Sequence, residues 1–313
     1  MRGLVDSADL PLNVSREKIQ ESPLLAAIKK GAANRVLAEL ERLADKEPET
    51  YAKIWDTFGA VLKEGIYEDF ERRDQVLGLA RFKTTALGGA SAGSWRSLKD
   101  YVGALKTNQT AIYYLAGDDM ARLEASPHLE GFRARGIEVL LLPDPVDSFW
   151  VMPGTGFDGK PFKSVTQGAA DLALIPRTDT AAAPAGDVDA AVQDFLGFVK
   201  TTLGDAVTEV RASDRLTDSA VCLVASEGGP DRALERILAG AGRLASASKP
   251  ILEVNPRHDI VVALAKLGDA DRAFKEDAAH LLFDEARVLD GERPADARLF
   301  SDRLARVLGR GLR

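Results

Sequence analysis

The chain has 313 residues, enough at roughly 150 residues per domain for about two domains with cores of their own. Its 41 basic and 48 acidic residues give 41 − 48 = −7, with no lysine or arginine block, which argues against a nucleic-acid backbone or an anionic membrane as main partner. At 45% hydrophobic and 28% charged it is ordinary globular material, with no apolar run near the roughly 18 residues of a membrane helix. Residues 1–14 lack the apolar centre of a signal peptide. The single cysteine, Cys222, forbids an intrachain disulfide and speaks against a Cys-based metal site. A cytoplasmic protein is expected.

In chain order, Ser22 and Pro23 read as an N-cap and first-turn proline. Leu25, Ile28, Val36, Leu37, Leu40 and Leu43 then follow at helical spacing. Pro48 opens a second helix carrying Ile54, Trp55, Phe58, Val61 and Leu62. A third is expected over residues 68–82, with Phe70, Val76, Leu77 and Leu79 on its apolar face. Residues 87–94 are small and uncharged and read as a linker. Beyond it Ser97 caps a short helix, and residues 111–115 form a buried strand. Residues 118–136 are helical with an interruption at Pro127, and 137–142 form a second buried strand, so the two strands should pair in parallel. The Ala- and Pro-rich stretch 178–186 marks another boundary. Then come a helix at 187–203, strands at 207–211 and 220–225, a helix at 230–244, a strand at 250–254, and three closing helices at 257–267, 271–289 and 295–312. The pattern predicts a mixed α/β (α+β) chain of three units, at 1–85, 95–178 and 186–313.

Three short catalytic signatures fail on context. Gly89-Ala90-Ser91-Ala92-Gly93 spells the G-x-S-x-G nucleophile elbow, but no strand precedes it. Gly154-Thr155-Gly156-Phe157-Asp158-Gly159 spells G-x-G-x-x-G, which must open a helix to hold pyrophosphate; a strand-like run follows, so it reads as a turn. Ser15-Arg16-Glu17-Lys18 matches S-x-x-K without its partner motifs. His128, His258 and His280 sit apart and read as surface or cap residues, so no metal site is expected. Two binding signals remain. Residues 146–153 place Phe149 and Trp150 where a loop is normally polar, as a core plug or an exposed contact. The last two helices carry Phe274, Leu281 and Leu282, and Phe300, Leu304 and Leu308, which suit pairing with a second copy as a four-helix bundle.

The string Val5-Asp6-Ser7-Ala8-Asp9-Leu10-Pro11-Leu12-Asn13-Val14-Ser15-Arg16-Glu17 resembles a middle-domain signature of the heat-shock protein 90 family, most closely its bacterial members. The resemblance continues through Leu62-Lys63-Glu64-Gly65, Ser126-Pro127-His128-Leu129-Glu130, Phe157-Asp158-Gly159-Lys160-Pro161-Phe162 and Arg215-Leu216-Thr217-Asp218-Ser219-Ala220, and covers nearly the whole chain. It implies a chaperone ATPase that binds unfolded or partly folded client proteins and works as a homodimer. The family's ATP- and Mg-binding N-terminal domain has no counterpart here, so no cofactor and no ATP hydrolysis are expected of this chain alone. By resemblance, Arg16 and Gln20 match the catalytic-loop residues that reach the ATP γ-phosphate in trans. Phe149, with Trp150 beside it, matches a client-binding tryptophan. Residues 230–242 match an amphipathic client-binding helix, with Leu234, Ile237 and Leu238 at its apolar positions. The chain's last five residues, Gly309-Arg310-Gly311-Leu312-Arg313, lack the acidic tail motif that recruits helical-repeat co-chaperones. The alternative reading is a serine hydrolase using Ser91.

Overall fold

The structure is a computed structural model and describes residues 23–87, 95–151, 154–167, 172, 174–178, 188–226, 231–240, 242 and 248–311. Two units emerge, residues 1–80 and 81–313. In the first, α1 (Pro23–Lys46), α2 (Pro48–Glu68) and α3 (Arg73–Leu79) bury Leu37 and Leu40, Tyr51, Trp55 and Ile66, and Val76, Leu77 and Leu79. Pro48 takes the first turn of α2, where a missing N–H is harmless. The Tyr51 hydroxyl donates to the Leu79 carbonyl at 2.7 Å, tying α2 to the end of α3. The third helix is shorter than the expected 68–82. Asp69 accepts the Arg72 N–H through both its carbonyl (3.1 Å) and its carboxylate (3.3 Å), a local turn that competes with helix. Phe70, assigned to the apolar face, is consequently 80% exposed, and Phe82 lies in a strand.

The second unit opens with β1 (Arg81–Thr84), β2 (Arg96–Ser97) and α4 (Leu98–Gly103). It continues with β3 (Ile112–Ala116), α5 (Met120–Glu124), α6 (Glu130–Arg133), β4 (Leu140–Leu142), α7 (Asp147–Trp150), β5 (Gly156–Phe157) and β6 (Lys160–Ser164). Ser97 caps α4 as expected, its Oγ accepting the Asp100 N–H at 3.1 Å. Among the described residues the strands form one sheet in the order β2-β1-β4-β3-β6-β5. Its centre, β4-β3-β6, is parallel, and β1, β2 and β5 join antiparallel at the flanks. Strands β3 and β4 are buried on both faces, which is why they read as unbroken apolar runs. One face holds Tyr113, Leu115, Leu129, Phe132, Val139 and Leu141, with Tyr113 and Phe132 edge-on at 4.9 Å.

The chain then forms α8 (Ala190–Leu203), β7 (Glu209–Ala212), β8 (Val221–Val224), α9 (Arg232–Gly240), β9 (Ile251–Val254), α10 (Asp259–Ala265), α11 (Arg272–Leu289) and α12 (Ala297–Gly311). A sheet ordered β7-β9-β8 pairs β7 parallel and β8 antiparallel to β9. Val192, Phe195, Leu196 and Val199 of α8, Val221, Leu223, Leu252 and Val254 of the sheet, and Ala279, Leu282 and Ala286 of α11 share its core. Gly154 to Gly159 do not open a helix. Gly156 begins a strand of the β5–β6 hairpin, whose turn places Asp158 and Gly159 at φ 48° and 70°.

Candidate functional site

Helix α7 splits its two aromatic residues. Trp150 is 1% exposed; its indole N–H donates to Asp147 at 2.8 Å, and its ring meets Phe82 at 5.6 Å and Phe162 at 5.2 Å. It is a core plug, so the pairing of Phe149 and Trp150 as joint surface contacts is corrected to Phe149 alone, which is 39% exposed. Asp147, itself buried, fixes that split by holding the indole from one turn away. The sequence offered a signal for it, an acid three residues before a tryptophan.

Helix α9 lies against α7 and buries the opposite face from an ordinary amphipathic helix. Arg232 and Glu235 are each 5% exposed, whereas Leu234, Ile237 and Leu238 are only half-buried. Each buried charge has a partner. Asp231 caps the helix by accepting the Ala233 N–H at 2.8 Å, and its second oxygen accepts the hydroxyls of Ser164 and of Thr166, the latter at 3.0 Å. Arg232 meets Asp290 at 2.6 Å and Glu292 at 2.7 Å, and Arg236 reaches the same Asp290 carboxylate at 3.5 Å. Glu235 accepts the Ser248 hydroxyl at 2.5 Å. Burial alone would push the Asp290 carboxyl up, but the His128 imidazole and the guanidinium groups of Arg232 and Arg236 outweigh it and hold the group below the usual carboxylate range. Pairing of this quality is what lets charge sit out of water, and it leaves Leu234, Ile237 and Leu238 half-buried.

His128, expected at the surface or in a cap, is 3% exposed, with its Nε2 3.9 Å from Asp290. His258 does cap a helix: its Nδ1 accepts the Ile260 N–H at the start of α10, at 3.3 Å. Burial pushes the Cys222 thiol up. Among the described residues no cluster of three His, Cys, Asp or Glu side chains could hold a metal ion, and no helix is long and apolar enough to cross a membrane.

The closing helices divide in the same way. Leu282, assigned to the dimer interface, is 4% exposed and belongs to the core beneath α11. Phe274 also packs on that core and lies 4.3 Å under the Arg310 guanidinium. Leu281 and Phe300 are half-buried, while Leu304 is 38% and Leu308 57% exposed. Arg306 holds Asp277 by two hydrogen bonds of 2.6 and 2.7 Å, binding α12 onto α11. Arg16, Gln20 and Ser91 lie outside the described residues.

A family model described as Hsp90 protein matches residues 1–313. The chain is 68% identical over 313 residues to "Chaperone protein HtpG" of Nitrobacter winogradskyi, covering 100% of this chain and 48% of that protein. It is 67% identical over 312 residues to the protein of the same name from Mesorhizobium japonicum, covering 100% of this chain and 49% of that protein. The Rhizobium meliloti protein of that name is 62% identical over 313 residues, with coverage of 100% and 49%. The chain therefore spans about half the length of the curated relatives it matches. None of these descriptions is that of a hydrolase, so the serine-hydrolase reading has no support from them. Matched by the family model from end to end, the chain belongs to the Hsp90 protein family.

Proposed function

We propose that this chain supplies the client-contact and dimerisation parts of a molecular chaperone, one that binds unfolded or partly folded proteins in an ATP-driven cycle in the cytoplasm under stress. The observation that carries the reading is the inverted burial of α9: its charges face in, and half-buried Leu234, Ile237 and Leu238 stand on a helix that contacts α7, which bears the exposed Phe149. An apolar face left half-buried while ions are buried instead suits a partner that is apolar and variable, as an unfolded chain is. Arg16 and Gln20 would serve a nucleotide held elsewhere, toward its γ-phosphate, and Leu304 and Leu308 would meet their copies in a homodimer.

The test uses reduced, carboxymethylated α-lactalbumin, a chain that cannot refold, as a fluorescent probe. The protein should bind it and ignore the native, disulfide-bonded form. Phe149→Ser with Ile237→Ser should weaken binding about tenfold or more, since each truncation withdraws most of a side chain's transfer free energy. Equal binding of the folded and unfolded probes would sink the reading.

A further inference from the structure

The contact surface is built from two layers. Phe149 stands on α7, anchored through Trp150 to Phe82 and Phe162 of the six-stranded sheet; Leu234, Ile237 and Leu238 stand on α9, tied through Arg232 to Asp290 at the end of α11. Such a surface is only as well defined as the joint between its layers, and a surface ordered before binding does not have to be ordered during it.

That joint is made by polar groups with unusually close approach. Glu130, the first residue of α6, extends its carboxylate into the loop at residues 217–219. One oxygen accepts the N–H groups of Thr217 at 2.6 Å and Asp218 at 2.9 Å; the other accepts the N–H of Ser219 at 3.1 Å and its hydroxyl at 2.5 Å. Three consecutive amides turned on one anion make a backbone nest, here filled from the other layer. The next residue is Gly131, where a Cβ would lie 2.8 Å from the Arg215 Cα, so the two backbones meet more closely than any side chain allows. Arg215 then donates to the Val165 carbonyl at 2.6 Å, on the sheet side of the same joint.

We propose that Glu130 is a positioning residue for client contact: its carboxylate, seated in the 217–219 nest, fixes the layer bearing Phe149 relative to the layer bearing α9. The proposal rests on the client-contact reading above. Its chemistry is specific to a carboxylate. A glutamine at this position would turn an NH₂ group toward amides that themselves donate. Each layer has a core of its own, one around Tyr113 and Phe132 and one around Phe195 and Leu252, so loss of the seat should loosen the joint and leave both layers folded.

The experiment compares the full chain with Glu130→Gln and with the milder Ser219→Ala, which removes one hydroxyl donor and keeps the three amides. Spin labels at Phe149→Cys and Leu238→Cys report the distance across the joint; Cys222, 1% exposed, stays out of reach of the label. In Glu130→Gln the distance distribution should broaden, and hydrogen exchange at residues 217–219 should quicken about tenfold, as for a lost charge-assisted hydrogen bond. Exchange at Leu223 and Leu252 should stay as it was. Binding of the unfolded lactalbumin probe should weaken several-fold, with Ser219→Ala shifting each readout the same way by less. An unchanged distance distribution overturns the proposal, and so does a broadened one with unaltered probe binding. If Phe149→Ser with Ile237→Ser leaves binding intact, it is the client-contact reading that fails first, and Glu130 then positions nothing of consequence.

Discussion

Glu253, on β9, has a side chain only 5% exposed and is met by Arg215 at 2.9 Å, Arg211 at 2.9 Å and the Ser213 hydroxyl at 2.9 Å. Burial pushes its carboxyl up, yet the guanidinium groups of Arg215 and Arg211 outweigh that and hold it below the usual range. A carboxylate whose folded pKa is depressed contributes stability that is complete above the unfolded value, about 4.3 for glutamate, and is lost as pH falls through the folded value. Urea midpoints should therefore fall from pH 5 downward. Glu253→Gln should cost about 3–5 kcal/mol at pH 7, because it strands the buried Arg215, and its deficit should narrow as the pH drops below 4. A deficit that is constant with pH would show that the pair adds nothing through charge. At this scale the sequence was informative about chemistry and silent about sides. Phe149 and Trp150 are neighbours of like composition, and only the Asp147 hydrogen bond and the ring contacts send one inward.

Elements were more legible than residues, because periodicity is a local property. The parallel pairing of β3 with β4, the cap at Ser97 and the three closing helices match their expected places within a few residues. The misses lie where a nonlocal or side-chain bond replaced a ladder bond. The strand expected at 137–142 shortens to Leu140–Leu142, since the Val139 N–H goes to the Thr85 hydroxyl at 3.0 Å and the Ile137 N–H to the Phe132 carbonyl at 2.9 Å. The glycines at 154–159 illustrate the opposite case, in which context mattered more than the motif. A Cβ on Gly156 would run into the Lys160 carbonyl oxygen, so the residue is needed for the hairpin itself. Gly156→Ala should open β5 from β6 and speed hydrogen exchange at Phe162, whose N–H is bonded to the Thr155 carbonyl at 2.9 Å, while leaving β8 and β9 protected. Unchanged protection of Phe162 would show that the hairpin tolerates the methyl group.

For the whole molecule, Val288, Leu299, Leu304 and Leu308 on α11 and α12 are exposed apolar side chains, and the proposed homodimer would bury such surface against a second copy. Leu304→Glu should move sedimentation from dimer toward monomer at tens of micromolar while circular dichroism stays that of the folded chain, because it sets a carboxylate against apolar surface only in the dimer. Leu282→Glu should instead unfold the layer, since that side chain is core in a single copy. A native chain already monomeric at that concentration, or a fully dimeric Leu304→Glu, would rule out this face.

The sequence by itself determined the mixed α/β class, the order of nearly all helices and strands, and the family, because these depend on spacing along the chain and on strings of residues read in line. Tertiary structure decided which apolar residues remain at the surface. Leu282 and Leu304 both stand on the apolar faces read for the closing helices, yet one belongs to the core with α8 and the sheet and the other is exposed. Tertiary structure also decided that the charges of α9 turn inward, an outcome no hydropathy pattern can anticipate, since Arg232 and Glu235 find their partners Asp290 and Ser248 58 and 13 residues further along the chain. The same holds for Glu130. Its carboxylate meets amides 87 to 89 residues away, and backbone N–H groups leave no mark in a sequence, because every residue but proline carries one.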